Sequence, residues 1–165
     1  MLLSSSATIE DIRTLQKVGL ASLTFFYCDF RDDQKKDRRG ILSSLLVQLG
    51  EQSDVYSDII SKFFEAHRRG SQQSHPSDSE LTDCLKDMLR LPGQASVYIV
   101  IDVLDECPVT TGSSFLREEI SEIVEDLVNS QVPTLRICVT SRPEADILPI
   151  LEPLAFCSFS LVLVG

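Results

Sequence analysis

Basic residues are scarce in this sequence. Fifteen Lys and Arg stand against 25 Asp and Glu, a net charge of −10 over 165 residues. A nucleic-acid binder needs a basic face, and an anionic membrane surface attracts the same charge, so the balance argues against both partners. No apolar run approaches the roughly 20 residues that a membrane span requires. The first residues, Met1-Leu2-Leu3-Ser4-Ser5-Ser6, have no basic stretch and too short an apolar one for a secretory signal, so the expected compartment is the cytosol. Histidine occurs only twice, at His67 and His75. The five cysteines (Cys28, Cys84, Cys107, Cys138 and Cys157) are odd in number and widely spaced, with no C-x-x-C. That pattern is neither a disulfide framework nor a zinc ribbon, and with so few histidines no Cys/His metal site is expected. Buried free thiols are the expected state.

What is present is enough apolar residue, 43% against 24% charged, for a folded core in one domain spanning residues 1–165. Residues 1–18 read as a helix with Leu3, Ile9, Ile12 and Leu15 on one side, ended by Gly19. Residues 20–27 form an apolar and aromatic strand, followed by a charged loop from Asp29 to Arg39. A helix over 38–49 carries Ile41, Leu42, Leu45, Leu46 and Leu49, with Gly50 as its C′ residue. In a helix over 54–67, Val55/Tyr56, Ile59/Ile60 and Phe63/Phe64 recur every four residues. Arg68 and Arg69 suit its C-terminal dipole, and Gly70 stops it. Residues 70–78 are polar. Ser77 and Glu80 have capping-box spacing and open a helix with Leu81, Leu85, Met88 and Leu89, closed by Pro92-Gly93.

Val97 to Ile101 is a continuous apolar, β-branched run, the mark of a strand buried on both faces of a parallel sheet. A helix over 114–129 and a second buried strand over 135–140 follow. Pro143 is placed as the first residue of a helix reaching Leu151, and 159–164 is a last strand. Strands alternating with helices predict an α/β domain: a parallel sheet in three layers with flanking helices. No internal repeat or dividing linker is visible.

Such sheets bind ligands at the carboxyl ends of their strands. Two buried strands end in polar clusters, Ile101-Asp102-Val103-Leu104-Asp105-Glu106 and Val139-Thr140-Ser141-Arg142. A carboxylate at the tip of a buried strand is costly unless paired or near a cation. Asp102 stands where P-loop NTPases carry the Walker B aspartate that helps to hold Mg²⁺. Asp105 or Glu106 could polarise a water, and Arg142 could contact a phosphate. The plainer alternative is structural, an Asp102–Arg142 ion pair or a helix cap.

Tyr98 to Pro108 resembles the Walker B segment of NACHT-type NTPases, especially the fungal proteins resembling NOD-like receptors. Leu135 to Glu144 resembles their sensor 1 strand. Phe25-Phe26-Tyr27-Cys28-Asp29-Phe30-Arg31, followed by Arg39 to Leu46, is similar to their strand and helix between Walker A and Walker B. The resemblance covers nearly the whole chain and points to the STAND class with a nephrocystin-like N-terminal module. It implies a signalling ATPase switched by ATP/ADP exchange, with Mg and ATP as cofactors. It also implies site roles: Asp102 for the metal, Asp105 and Glu106 for catalysis, Thr140 and Arg142 on the phosphate side.

One departure is decisive. None of the seven glycines precedes a lysine, so there is no G-x-x-x-x-G-K-[ST] to cradle phosphates. The helix at 1–18 resembles the one directly after that loop, so the chain is expected to begin just past it, without the central strand before it. That would leave two strand edges unpaired in mid-sheet, between the 135–140 strand and the last one. Tight ATP binding and useful ATPase activity are not expected. The expected role is an interaction or regulatory fragment that self-associates or pairs with a complete NACHT protein. The alternative is a metal-dependent α/β hydrolase using Asp102, Asp105 and Glu106. Lesser signals have ordinary readings. Phe25, Phe26, Phe63 and Phe64 fit core packing, His67 a helix-end cation, and residues 31–39 a solvated loop. Neighbouring negative charge is expected to keep Cys107 unreactive.

Overall fold

The run from Val97 to Ile101 lies at the centre of the molecule. Val97, Ile99, Val100 and Ile101 are all at most 1% exposed, as a central parallel strand covered on both faces requires. The structure, a computed structural model, describes residues 5–27, 37–69, 75–102, 115–140, 149, 151–153 and 161–164. Among these the elements run α1 (Ser5–Lys17), β1 (Ala21–Tyr27), α2 (Arg38–Gly50), α3 (Asp54–Arg68), α4 (Asp78–Leu89), β2 (Ser96–Asp102), α5 (Phe115–Asn129), β3 (Leu135–Thr140) and β4 (Leu161–Val164). The strands form one sheet in the order β1-β2-β3-β4, every neighbouring pair parallel. An α/β fold with a parallel sheet and flanking helices is therefore what the sequence pattern predicts and what forms.

A strand order that never reverses places the helices. Each parallel pair needs a crossover, and crossovers are right-handed in nearly all proteins, so all of them fall on one face. The packing agrees. Leu42, Leu45, Leu85, Met88, Ile120 and Val124 from α2, α4 and α5 join Phe26, Val97, Ile99, Ile101, Leu135, Ile137 and Val139 in one cluster, which also takes in Leu151. The other face carries α1, whose Ile9 and Ile12 meet Ala21, Leu23 and Val100. Phe25, Tyr98 and Cys138 on that thinner side are only half-buried.

Three expectations are corrected. The gap expected between the 135–140 strand and the last one is absent, because β3 and β4 pair directly, Ile137 opposite Leu161 through Thr140 opposite Val164. Unpaired backbone groups in mid-sheet would be expensive, and direct pairing removes them. Leu15 is 37% exposed, so the face of α1 toward the sheet is narrower than its apolar periodicity implies. Gly50 is the last residue of α2 rather than its C′ residue, and Glu51 is the cap. Gly50 serves close approach, since a Cβ there would lie 2.5 Å from Ile60 Cδ1. Gly19 does end α1 in the left-handed region, at φ +74°. Leu3, Gly70 and the expected helix start at Pro143 lie outside the described residues, though 151–153 is helical.

The outer edge of β1 is closed by α2. Gln48 Oε1 accepts from the Phe25 N–H at 2.9 Å, and its Nε2 donates to the Phe25 carbonyl at 2.8 Å. Gln52 repeats the pair on Leu23, at 2.9 and 2.5 Å. At the start of α2, Arg38 bridges Glu122 and Asp126 of α5 at 3.0 and 2.7 Å, and Arg39 lies 3.5 Å from Asp78 of α4. The end of the charged run is thus an ionic tie between helices rather than solvated loop.

Ser77 and Glu80 form the expected capping box on α4. Glu80 also meets His67 Nε2 at 3.3 Å, while His67 Nδ1 bonds the Phe63 carbonyl at 2.8 Å. The bonds from the Ser77 N–H and hydroxyl, with His67 beside them, hold the Glu80 carboxyl down to about 2 from its ordinary 4.5. The Phe63 carbonyl first, and Glu80 after it, raise His67.

Urea denaturation and its pH dependence test this packing and capping. Leu46 is 1% exposed and its neighbour Val47 51%, so Leu46→Ala is expected to cost about 2–5 kcal/mol in urea denaturation and Val47→Ala about 0.5 kcal/mol or less. Ser77→Ala is expected to cost about 1 kcal/mol. The contribution of Glu80 should be full above its ordinary value of 4.5 and vanish as the pH falls through about 2. Wild type and Glu80→Gln should therefore differ most on the acid side of the His67 titration, less above it as His67 loses its proton, and converge as the pH falls through about 2. A difference that persists unchanged to pH 2 would contradict this.

Candidate functional site

All strands of a parallel sheet end on one side, here at Tyr27, Asp102, Thr140 and Val164. The register puts Tyr27 opposite Asp102 and Ile101 opposite Val139, so Asp102 and Thr140 are adjacent tips. Strand alternation gives Asp102 the face of Tyr98 and Val100, and Thr140 the face of Cys138; both are on the α1 side. The Thr140 hydroxyl donates to Asp102 Oδ1. Asp102 is only 6% exposed, and a carboxylate so far from water requires such donors. Burial first, and the Asp102 charge second, push the Cys138 thiol up, which makes its thiolate scarce and the residue a poor nucleophile. Cys84 behaves alike, pushed up to about 11 by burial with help from Asp87.

Of the residues singled out from sequence, the structure thus joins Asp102 and Thr140. Asp105, Glu106, Cys107 and Arg142 lie outside the described residues.

The described tips do not fit a magnesium–nucleoside triphosphate. Tyr27, Asp102 and Thr140 supply an acid, a phenol and a hydroxyl, with no cation among them, and the sequence has no phosphate-cradling glycine–lysine loop. Mg²⁺ in such sites is shared with the phosphates themselves, so one carboxylate already accepting from Thr140 is a weak hold. Ligand crevices in open α/β sheets form where the strand order reverses, and among the described strands it does not reverse.

A different region was not legible as a site. At the amino-terminal ends of β1 and β2 lies a cavity of about 700 Å³ between Gln16, Ser22, Gln52, Tyr56 and Gln94, with Glu51 as the charged residue of its described lining. Its polar groups bind one another. The Tyr56 hydroxyl donates to Gln94 Oε1, Gln94 Nε2 donates to the Leu89 carbonyl, and Gln16 Nε2 donates to Gln52 Oε1 at 2.8 Å. Burial raises Tyr56, partly offset by a hydrogen bond with Ser22. Among the described residues that lining holds no cation. Glutamines carry no periodic or charge signal of their own; the hint in the sequence is confined to Gln52, four residues after Gln48 beside the apolar stripe of α2.

Residues 3–142 match the family described as nephrocystin 3, N-terminal, and the chain belongs to that family. No curated protein and no solved structure matches it. The match agrees with the nephrocystin-like module that the sequence resemblance implies. No described helix is long and apolar enough to cross a membrane.

Thr140→Val keeps the β-branched shape and removes the hydroxyl. It is expected to cost about 1–3 kcal/mol, the penalty for depriving a buried acceptor of a donor, and Thr140→Ser should recover most of it in the same urea titration. An unchanged midpoint for the valine variant would show that Asp102 does not depend on this bond.

Proposed function

We propose that the chain is a regulatory or interaction module related to NACHT-type signalling NTPases. In this reading it keeps two strand tips of a nucleotide site without the loop that grips phosphates. Asp102 occupies the place of the metal-facing acid and Thr140 that of the residue on the phosphate side. Asp105, Glu106 and Arg142 follow them in sequence as the water-polarising acids and the phosphate-facing cation. The observation that supports the reading is the Asp102–Thr140 hydrogen bond at adjacent strand tips, together with the nephrocystin 3 N-terminal match.

In isolation the site is electrostatically wrong for a polyanion. Asp102, Asp105 and Glu106 fall within five residues of one another, and like charge repels a triphosphate unless cations intervene. The module accordingly does not hydrolyse ATP by itself and acts through partners. The resemblance offers a complete protein of the same class as the partner, one that supplies its own phosphate loop. Location in the cytosol belongs to the same reading.

Isothermal titration of ATP with Mg²⁺ into the purified chain tests the proposal. No saturable heat is expected at micromolar nucleotide. A micromolar dissociation constant would overturn it, because it would require a phosphate cradle built from other residues.

A further inference from the structure

An edge strand presents a row of N–H and C=O groups that can template pairing with another chain. β1 is such a strand, and its sequence sharpens the hazard. Ala21-Ser22-Leu23-Thr24-Phe25-Phe26-Tyr27 has no charge, no proline and no glycine, the composition of segments that self-associate as strands. The common guards, a lysine or a proline on the edge, are missing from it.

Two side-chain amides take their place. A primary amide presents an acceptor and a donor side by side, as a peptide unit does. A glutamine set against one residue's N–H and C=O therefore makes both bonds that a neighbouring strand would make. Gln52 does this to Leu23 and Gln48 to Phe25. The spacing matches. Gln52 lies two residues past α2, where the turn continues through the Glu51 N–H to the Val47 carbonyl; residues four apart on such a turn rise about 6 Å and residues two apart on a strand about 6.6 Å. Both amides are held in turn. Gln48 Nε2 also donates to Ser44 Oγ at 3.1 Å, and Gln52 Nε2 to the Gln48 carbonyl at 2.7 Å. Gln16 of α1 reaches Gln52 from the opposite face at 2.8 Å, so the edge is bridged from both sides of the sheet.

We infer that Gln48 and Gln52 are a built-in substitute for a neighbouring strand, and that they exclude the β1 edge of a second copy of this chain. Identical edges are self-complementary about a two-fold axis. Antiparallel pairing centred on Thr24 sets Leu23 of one copy against Phe25 of the other as hydrogen-bonded pairs. Those are the backbone groups that the glutamines occupy, so the amide clamp and the intermolecular ladder are mutually exclusive.

Amide hydrogen exchange on the full chain, read residue by residue by NMR, is the test. In the wild type Leu23 and Phe25 should be protected alongside Thr24 and Phe26, whose N–H groups face β2. Gln52→Ala should speed exchange at Leu23, and Gln48→Ala at Phe25, each by about tenfold and each without the other. The double variant should sediment as a larger species than the wild type as concentration rises. Fast exchange at Leu23 and Phe25 in the wild type would overturn the inference with no variant needed. So would a double variant that loses protection yet sediments as the wild type does at every concentration. Should the double variant fail to fold, the wild-type pattern and the single variants decide the matter.

Discussion

A parallel pair of strands cannot be joined by a tight turn; the chain must cross over, and it does so with one hand. In this protein the order β1-β2-β3-β4 never doubles back, and that constraint governs most of the architecture. The crossover helices gather on one face and bury the continuous cluster from Phe26 to Leu151. β2 acquires cover on both sides and becomes the most deeply buried strand. Its last residue, Asp102, is therefore drawn almost out of water and takes a hydroxyl from the next strand. The same order leaves the described strands without the reversal at which open α/β sheets form a ligand crevice.

Polar groups elsewhere are satisfied locally, and the two ends of the sheet differ in how. The described carboxyl end presents Asp102 with Tyr27 and Thr140. The amino end is neutral and rich in amides, with Gln16, Gln52, Tyr56 and Gln94 bonded among themselves around the cavity. Between α2, α4 and α5 the charges of Arg38, Arg39, Asp78, Glu122 and Asp126 offset one another. Glu119 lies in the same place. Burial raises it, with Asp37 and Asp78 adding to the effect and Arg38 opposing it. A molecule with a net charge of −10 thus places two arginines, Arg38 and Arg39, where three helices converge.

Much of the fold was legible because it rests on short-range chemistry. The apolar runs at 97–101 and 135–140 are β-branched and bounded by turn residues, and both are strands. Ser77 and Glu80 announce a helix start from two residues, and the box is there. That Asp102 and Thr140 lie at the same end of the sheet follows from both strands ending in polar residues in a parallel sheet; their adjacency comes from the β2–β3 pairing. What escaped depends on tertiary neighbours. The apolar spacing of Leu15 holds on a helix wheel but not against a sheet that offers room for Ile9 and Ile12. Gly50 has the position of a helix stop, yet it is the last residue of the helix and lies close against the tip of Ile60. The direct pairing of β3 with β4 is a long-range choice that no local pattern encodes. Gln48 of α2 and Gln52 just beyond it belong to neither an apolar stripe nor a charge run, and only the neighbouring strand gives them meaning.

The unequal dressing of the sheet has a mechanical consequence. Among the described residues, one side is a thick layer knit by α2, α4 and α5; the other carries a thirteen-residue helix seated on Ile9 and Ile12. Free energies of local opening scale with the apolar contact that must be broken, so α1 is expected to open at lower cost than the layer of α2, α4 and α5. When it lifts, Leu23 and Val100 lose their cover and Gln16 lets go of Gln52, while the opposite layer stays shut. The protein is therefore hinged like a book with one stiff board and one soft one, and reshaping it to admit a visitor is cheapest through the soft cover.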